Sequence, residues 1–319
     1  MTTFDGRCKF VVVLMIGAVG LMLSSTVAAQ TADESPDFSA NPELMGVSTE
    51  LGEAWREDSE AFEHVDAVRQ WVVDWDRTST PRPPNVARML RAGGPDVLIV
   101  ILWRIAADQP LSSGMSLEAW RQWRIGLLEA AGRMRDERSI PVLYSVIAGS
   151  EPSSAIRQVA TSALGRVGDE ASIERVIGFA KSSPPAIQQP IVAGLGDGRR
   201  LVALDYLLDV IDEASDRELR RVAIRSVGDW SNQWAWQTSP LEPYIDEGRA
   251  GRRQAIEALV TDYPIFDEIL RNEAFKSLQL AGATDAARRA DEEADDAVSE
   301  QHRRAWRILA GDLRSSPLE

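Results

Sequence analysis

Apolar residues recur along this chain at helical spacing, three and four positions apart, rather than in the alternation of a half-buried strand. Four stretches repeat one phrase: Arg124–Gly132 (RIGLLEAAG), Arg157–Gly165 (RQVATSALG), Gln188–Gly196 (QQPIVAGLG) and Arg220–Gly228 (RRVAIRSVG). Small or aliphatic residues stand five, two and one positions before each closing glycine, as with Leu127, Ala130 and Ala131, or Ala160, Ala163 and Leu164. The closing glycines lie 33, 31 and 32 residues apart. Small side chains on one helix face let neighbouring helices come close. A terminal glycine suits a C-cap that needs left-handed backbone. In the first three copies a second apolar pair follows: Ile140 and Leu143, Ile173 and Val176, Leu204 and Leu207. Turn residues at Gly149–Pro152, Ser182–Pro185 and Ser215–Asp216 separate the copies. The pattern predicts helix pairs of about 32 residues. One pair cannot bury its apolar face alone, so the copies must stack.

The segments Asp136–Leu143 (DERSIPVL) and Arg157 to Asp169 (Arg, five residues, Ala-Leu-Gly, then an acid) resemble HEAT-like repeats, the short kind also found in phycobilin lyase subunits. The resemblance covers Leu117 to Trp230. It weakens in the third copy, with Gln188 and Pro190, and in the fourth a Trp-rich stretch replaces the second helix. It implies an all-α fold, a right-handed α-solenoid of stacked helix pairs with atypical helical caps. It also implies use as a binding scaffold; a subunit of a lyase-like enzyme is the less favoured implication.

The flanks complete the expected organisation. Arg7 and Lys9 precede a run of fourteen uncharged, mostly apolar residues, Phe10 to Leu23, and the small residues Ala28 and Ala29 follow. Such a run spans roughly 21 Å as a helix, short of a bilayer core. Residues 1–29 are therefore expected to be a cleaved signal peptide and the protein to be exported, periplasmic or extracellular. Residues 30–50 read as a flexible leader and 51–116 as an N-terminal helical cap or degenerate repeats. The repeats take 117–230, a Trp-rich loop 231–245 and a C-terminal helical cap 246–319. Within the first flank, Val97–Ile105 is apolar all round, as a buried helix would be. Within the last, Arg271–Gln279 is a weak echo of the phrase.

Charge and composition narrow the function. The net charge of −14 argues against nucleic acid or an anionic lipid surface as partner. Cys8 is the single cysteine, and it lies in the expected signal peptide. The two histidines, His64 and His302, stand near opposite ends of the chain. Neither a nucleophile–base arrangement nor a metal-ligand spacing is visible, so the chain is expected not to be an enzyme and to need no cofactor or metal. The acid run Asp291–Asp296 reads as a solvated helix face, and Gly194–Arg200 as an inter-helix turn.

The repeated arginines Arg124, Arg157 and Arg220, with Asp169, Asp197 and Asp229, are expected to form a structural ladder of charge-assisted hydrogen bonds. Arg221 and Arg225 are candidates for contact with a partner protein. So are Trp234 and Trp236, in a loop holding two of the ten tryptophans. The expected function is a non-enzymatic scaffold or adaptor binding another protein. The alternative is a glycan or small-ligand module built on Trp230 to Trp236.

Overall fold

The computed structural model describes residues 37–57, 59–78, 85–108, 114–168 and 170–315. The expected signal peptide lies outside them. All regular structure among the described residues is helical. The helices are α1 (Ser48–Arg56), α2 (Glu60–Thr78), α3 (Val86–Arg91), α4 (Val97–Ala107), α5 (Leu117–Met134), α6 (Ile140–Ala148) and α7 (Ser154–Val167). They continue as α8 (Glu170–Lys181), α9 (Pro185–Leu195), α10 (Leu201–Glu213), α11 (Arg217–Ser231), α12 (Ile245–Asp262), α13 (Glu268–Asp296) and α14 (Glu300–Arg314). None of these is long and apolar enough to cross a membrane.

The helices form two rows. The first is α3, α5, α7, α9, α11 and α13, each packed on the next, with α14 following on α13. The second is α4, α6, α8, α10 and α12. Local chemistry starts the first-row helices. Asn85, Ser116, Ser153, Asp216, Asp267 and Ser299 each cap a helix by accepting the backbone N–H three residues on. The third copy starts instead at Pro184 and Pro185, where a missing N–H does no harm.

The phrase glycines do something other than the sequence suggests. Gly132, Gly165 and Gly228 lie inside their helices, and Gly196 caps α9 with right-handed backbone. The left-handed caps come three residues later, at Arg135 (φ 55°) and Gly168 (φ 85°). What the phrase glycines supply is close approach. A Cβ on Gly132 would stand 2.5 Å from Ala163 Cα, and one on Gly228 2.7 Å from Ser277 Cα. In both cases the glycine rests on the residue two before the next phrase ends, so the register passes from copy to copy.

That register continues beyond Trp230. α12 supplies the second helix of the fourth pair, after an insertion of short helical turns. At Gly282 (φ 137°) α13 kinks and divides into two helical segments. In α14, Arg303–Gly311 (RRAWRILAG) repeats the phrase, 32 residues after Gln279. Its Trp306, Leu309 and Ala310 are buried at the expected positions. Four residues before the closing position, earlier copies bury Leu128, Thr161, Val192 and Ile224. In α14 that position is Arg307, exposed and paired with Asp291 and Asp295.

The leader needs correction too. Residues 37–50 are largely helical, and Leu44 and Val47 are buried in the core against the N-terminal helices. Leu44 and Val47, three apart, turn one face of the segment to the core, and Glu50 pairs with Arg138.

Candidate functional site

The phrase arginines do not pair with the turn aspartates. Each caps the helix before it. Arg157 Nε donates to Ile147 O at 2.9 Å, and its Nη2 donates to Gly149 O at 3.1 Å and Glu151 O at 2.7 Å. Arg220 Nε donates to Ile211 O at 2.8 Å, and Arg124 Nη1 donates to Ile105 O. Arg271 and Arg303 repeat the arrangement on Tyr263 and Pro264 and on Ala294 and Ala297. These carbonyls end helices or follow them directly. They lack intrahelical partners and carry the negative end of the dipole, so a buried cation there satisfies both needs. Burial holds the Arg124 guanidinium below its ordinary value, against the favourable charges of Glu151 and Asp108. In the third copy Gln188 bonds Tyr206 instead, and the hydroxyls of Ser182 and Ser183 satisfy Phe179 O. The expected arginine–aspartate ladder is thus an arginine–carbonyl ladder.

The aspartates do other work. Asp197 accepts from Ser162 Oγ and from Arg166 Nη2, the latter at 2.7 Å, and lies 3.8 Å from Arg199 Nη2. It therefore ties the turn of the third copy to the second-copy helix. Arg199 is nearly buried and donates to Gly196 O. Burial pulls its guanidinium down to about 10, against Asp197 and Asp229. Asp229 is shifted the other way. Desolvation in its cleft and the Asp197 charge raise its carboxyl, against Arg199 and Arg225. Asp169 lies outside the described residues.

Arg221 and Arg225 meet on a residue that sequence reasoning missed. Glu273, buried on α13, accepts from Arg225 Nε at 2.8 Å and from Arg221 Nη1 at 3.5 Å. Arg221 also holds Glu218 through two hydrogen bonds. Burial raises the Glu273 carboxyl, but the Arg225 hydrogen bond and the charges of Arg225, Lys276 and Arg221 outweigh it and hold it below its ordinary value. Both arginines thus tie α11 to α13, while half of the Arg225 side chain still faces solvent. The signal for Glu273 was its place in the echo Arg271–Gln279.

The tryptophans divide. Trp236 is 3% exposed, lies 5.0 Å from the Trp230 ring, and donates its indole N–H to Trp230 O at 2.8 Å. Trp230 in turn donates to Arg200 O at 3.1 Å. Gly248 and Gly251 of α12 make room for the two rings. Trp236 is therefore core, which corrects its assignment to partner contact. Trp234, 44% exposed, keeps a free face.

The uncovered side of the first row carries two adjoining clefts. One, of about 260 Å³, is lined by Gln158, Gln189, Ala193, Arg221, Arg225 and Asp229. The other, of about 390 Å³, shares Gln158, Ala193 and Asp229 and adds Ser162, Arg199 and Asn232. The histidines lie elsewhere. His64 Nε2 is 2.9 Å from Met89 O, and His302 packs edge-on to Trp306. Among the described residues no group of three or more His, Cys, Asp or Glu is placed to hold a metal ion.

No protein-family model matches the chain. No curated protein matches it either. Among solved structures, human deoxyhypusine hydroxylase in complex with glycerol is similar, at 17% identity and a TM-score of 0.30, over 79% of this chain and 96% of that chain. This overturns one expectation. The chain was expected not to be an enzyme, whereas the similar structure is that of a hydroxylase, and the exclusion is withdrawn. The likeness assigns no activity to this chain. The helical-repeat fold stands on the two rows and their register.

Proposed function

We propose that the protein is an exported scaffold, a right-handed helical solenoid that holds an extended segment of a partner protein along its first helix row. One observation carries this reading: equivalent positions of three consecutive copies line the two adjoining clefts. Gln158, Gln189 and Arg221 stand seven residues before their closing glycines, and Ser162, Ala193 and Arg225 three residues before. The side chains at the centre of the cleft are short or carry amides. An amide offers both donors and an acceptor, the complement of a peptide group. Neighbouring helices lie about 8–10 Å apart, close to the length of three extended residues. A partner strand could thus meet each copy in the same way. The strongly acidic composition favours a protein partner over nucleic acid. Export rests on the N-terminal pattern of Arg7, Lys9 and the apolar run.

The test fills the cleft without touching the core. Ala193→Arg and Gln158→Arg project long cations from half-buried and exposed positions. Circular dichroism should be unchanged in both. Tagged parent and variants are then used to capture proteins from native extract. Loss of a near-stoichiometric protein from both variants supports the reading. Capture that is equal in parent and variants, or absent in all, overturns it.

A further inference from the structure

The turn edge of the stack, beside the larger cleft, carries a cluster of arginines. Three arginines from three consecutive copies converge there: Arg135 after the first phrase, Arg166 in the second, Arg199 after the third. Arg166 and Arg199 both reach the carboxylate of Asp197. Arg135 stands within electrostatic range of Arg166, Asp197 and Tyr244. Like charges repel, so such a group is unfavourable unless something negative completes it. Asp197 is already engaged by Ser162 and Arg166, and Asp229 faces Arg199. The uncompensated charge is left at Arg135. Among the described residues its guanidinium makes no hydrogen bond and no ion pair.

The backbone at Arg135 is the second, independent observation. It is the one non-glycine with positive φ among the described residues, at 55°. The second copy fills the same position with Gly168, also left-handed, at φ 85°. Glycine takes that conformation without the clash an arginine Cβ brings. The first copy therefore holds a strained arginine where the stack needs only a glycine. The half-buried side chain offsets that strain with neither a hydrogen bond nor an ion pair. Strain kept where the scaffold does not demand it points to a ligand. Desolvation and the nearby Arg166 charge also hold the Arg135 guanidinium below its ordinary value, as expected for a cation lacking its counter-ion.

We propose that Arg135 and Arg166, above the nearly buried charge of Arg199, bind an oxyanion, a carboxylate or a phosphate group. A guanidinium offers five N–H donors in one plane, and a carboxylate or phosphate accepts two of them side by side. Arg166 spends one nitrogen on Asp197, and Arg135 spends none. Arg199 is occupied by Gly196 O and supplies charge from below. Arg199 and Asp197 also line the larger cleft, but Arg135 and Arg166 line neither, so an Arg135 variant tests the anion site without altering the residues proposed to hold a partner segment.

The decisive variant is Arg135→Gly. It removes the guanidinium and relieves the strain together, so its fold is kept and its melting temperature is equal or higher. Inorganic phosphate and glutarate are titrated calorimetrically into parent, R135G and R135K at low ionic strength, with sodium chloride as control. The expected result is binding of at least one of the two anions, weakened roughly tenfold in R135G and partly restored in R135K. Phosphate alone, or glutarate alone, identifies the oxyanion; binding of both marks a site that recognises charge and planarity. Binding of neither anion, or equal binding in R135G, overturns the proposal.

Discussion

The two helix rows bury apolar surface by different means. In the second row, Leu143, Ile173, Val176, Leu204 and Leu207 are fully buried, and whole side chains separate one helix from the next. In the first row the helices meet at the backbone. A Cβ on Gly132 would lie 2.5 Å from Ala163 Cα, and one on Gly194 would lie 2.5 Å from Gln158 O. Gly178, on second-row α8, has nothing within 4 Å of its would-be Cβ. The close-approach glycines of the second row, Gly248 and Gly251, face side chains, the rings of Trp236 and Trp230 and the Leu201 methyl, rather than another helix's backbone. Side chains can shift rotamer to admit a methyl group, and backbone atoms cannot. One row is therefore intolerant of added volume and the other tolerant, although both belong to one core.

The largest expected effect tests this contrast. Gly132→Val should lower the unfolding free energy by about 3 kcal/mol, read by urea denaturation. Gly178→Ala should be neutral or stabilising by under about 1 kcal/mol. Gly311→Ala, at the phrase position that nothing covers, should behave like Gly178→Ala rather than like Gly132→Val. A Gly132→Val protein as stable as its parent would break the comparison.

Next comes the arginine that joins the rows. Arg157→Met strips three carbonyls of their donor and should cost about 2–3 kcal/mol. Gln188→Met, in the copy whose carbonyl is served by serines, should cost under about 1 kcal/mol. Equal losses in the two would mean that the arginines contribute nothing beyond ordinary side-chain contacts.

Glu273→Gln is expected to cost about 1–2 kcal/mol at neutral pH, because its arginine partners remain partly solvated. Its pH dependence carries a sign. The folded carboxyl is held below its ordinary value of 4.5, so ionised Glu273 stabilises the fold above that pH. The contribution is lost as pH falls through the lower, folded value. Melting curves of Glu273→Gln should therefore decline less steeply below pH 4.5 than those of the parent.

The smallest effect has the opposite sign. Asp229 is raised in the folded state, so its ionised form destabilises the fold as pH rises through the folded value. Asp229→Asn should raise the melting temperature slightly at pH 7 and leave it unchanged well below 3.8. A lower melting temperature at pH 7 would show that hydrogen bonding outweighs the desolvation invoked here.

Much of the fold was legible in the sequence. The phrase, its small-residue face and the all-apolar helix α4 all follow from local spacing. So, in principle, did the copy at Arg303–Gly311. It carries arginine, an apolar residue five before the end, Leu-Ala and glycine at the right intervals. The insertion that lengthens the interval between Gly228 and Gln279 hid it. The site was less legible. Arg221 and Arg225 were picked out as polar positions on the first row, but Glu273 lies 52 and 48 residues away from them. Trp234 and Trp236 are two residues apart in a stretch without helical period, so nothing in the sequence separates the exposed ring from the buried one.

By itself the sequence determined that the chain is helical, that its helices come in pairs, and that one face of each copy is stripped of bulk. Those properties depend on residues within a few turns of one another, where helical geometry fixes the neighbours. Only the tertiary structure decided what each arginine bonds, which tryptophan is core, and that three arginines from separate turns converge around Asp197. Backbone carbonyls carry no residue-specific signal, and charges from different copies meet only because stacking brings them within reach.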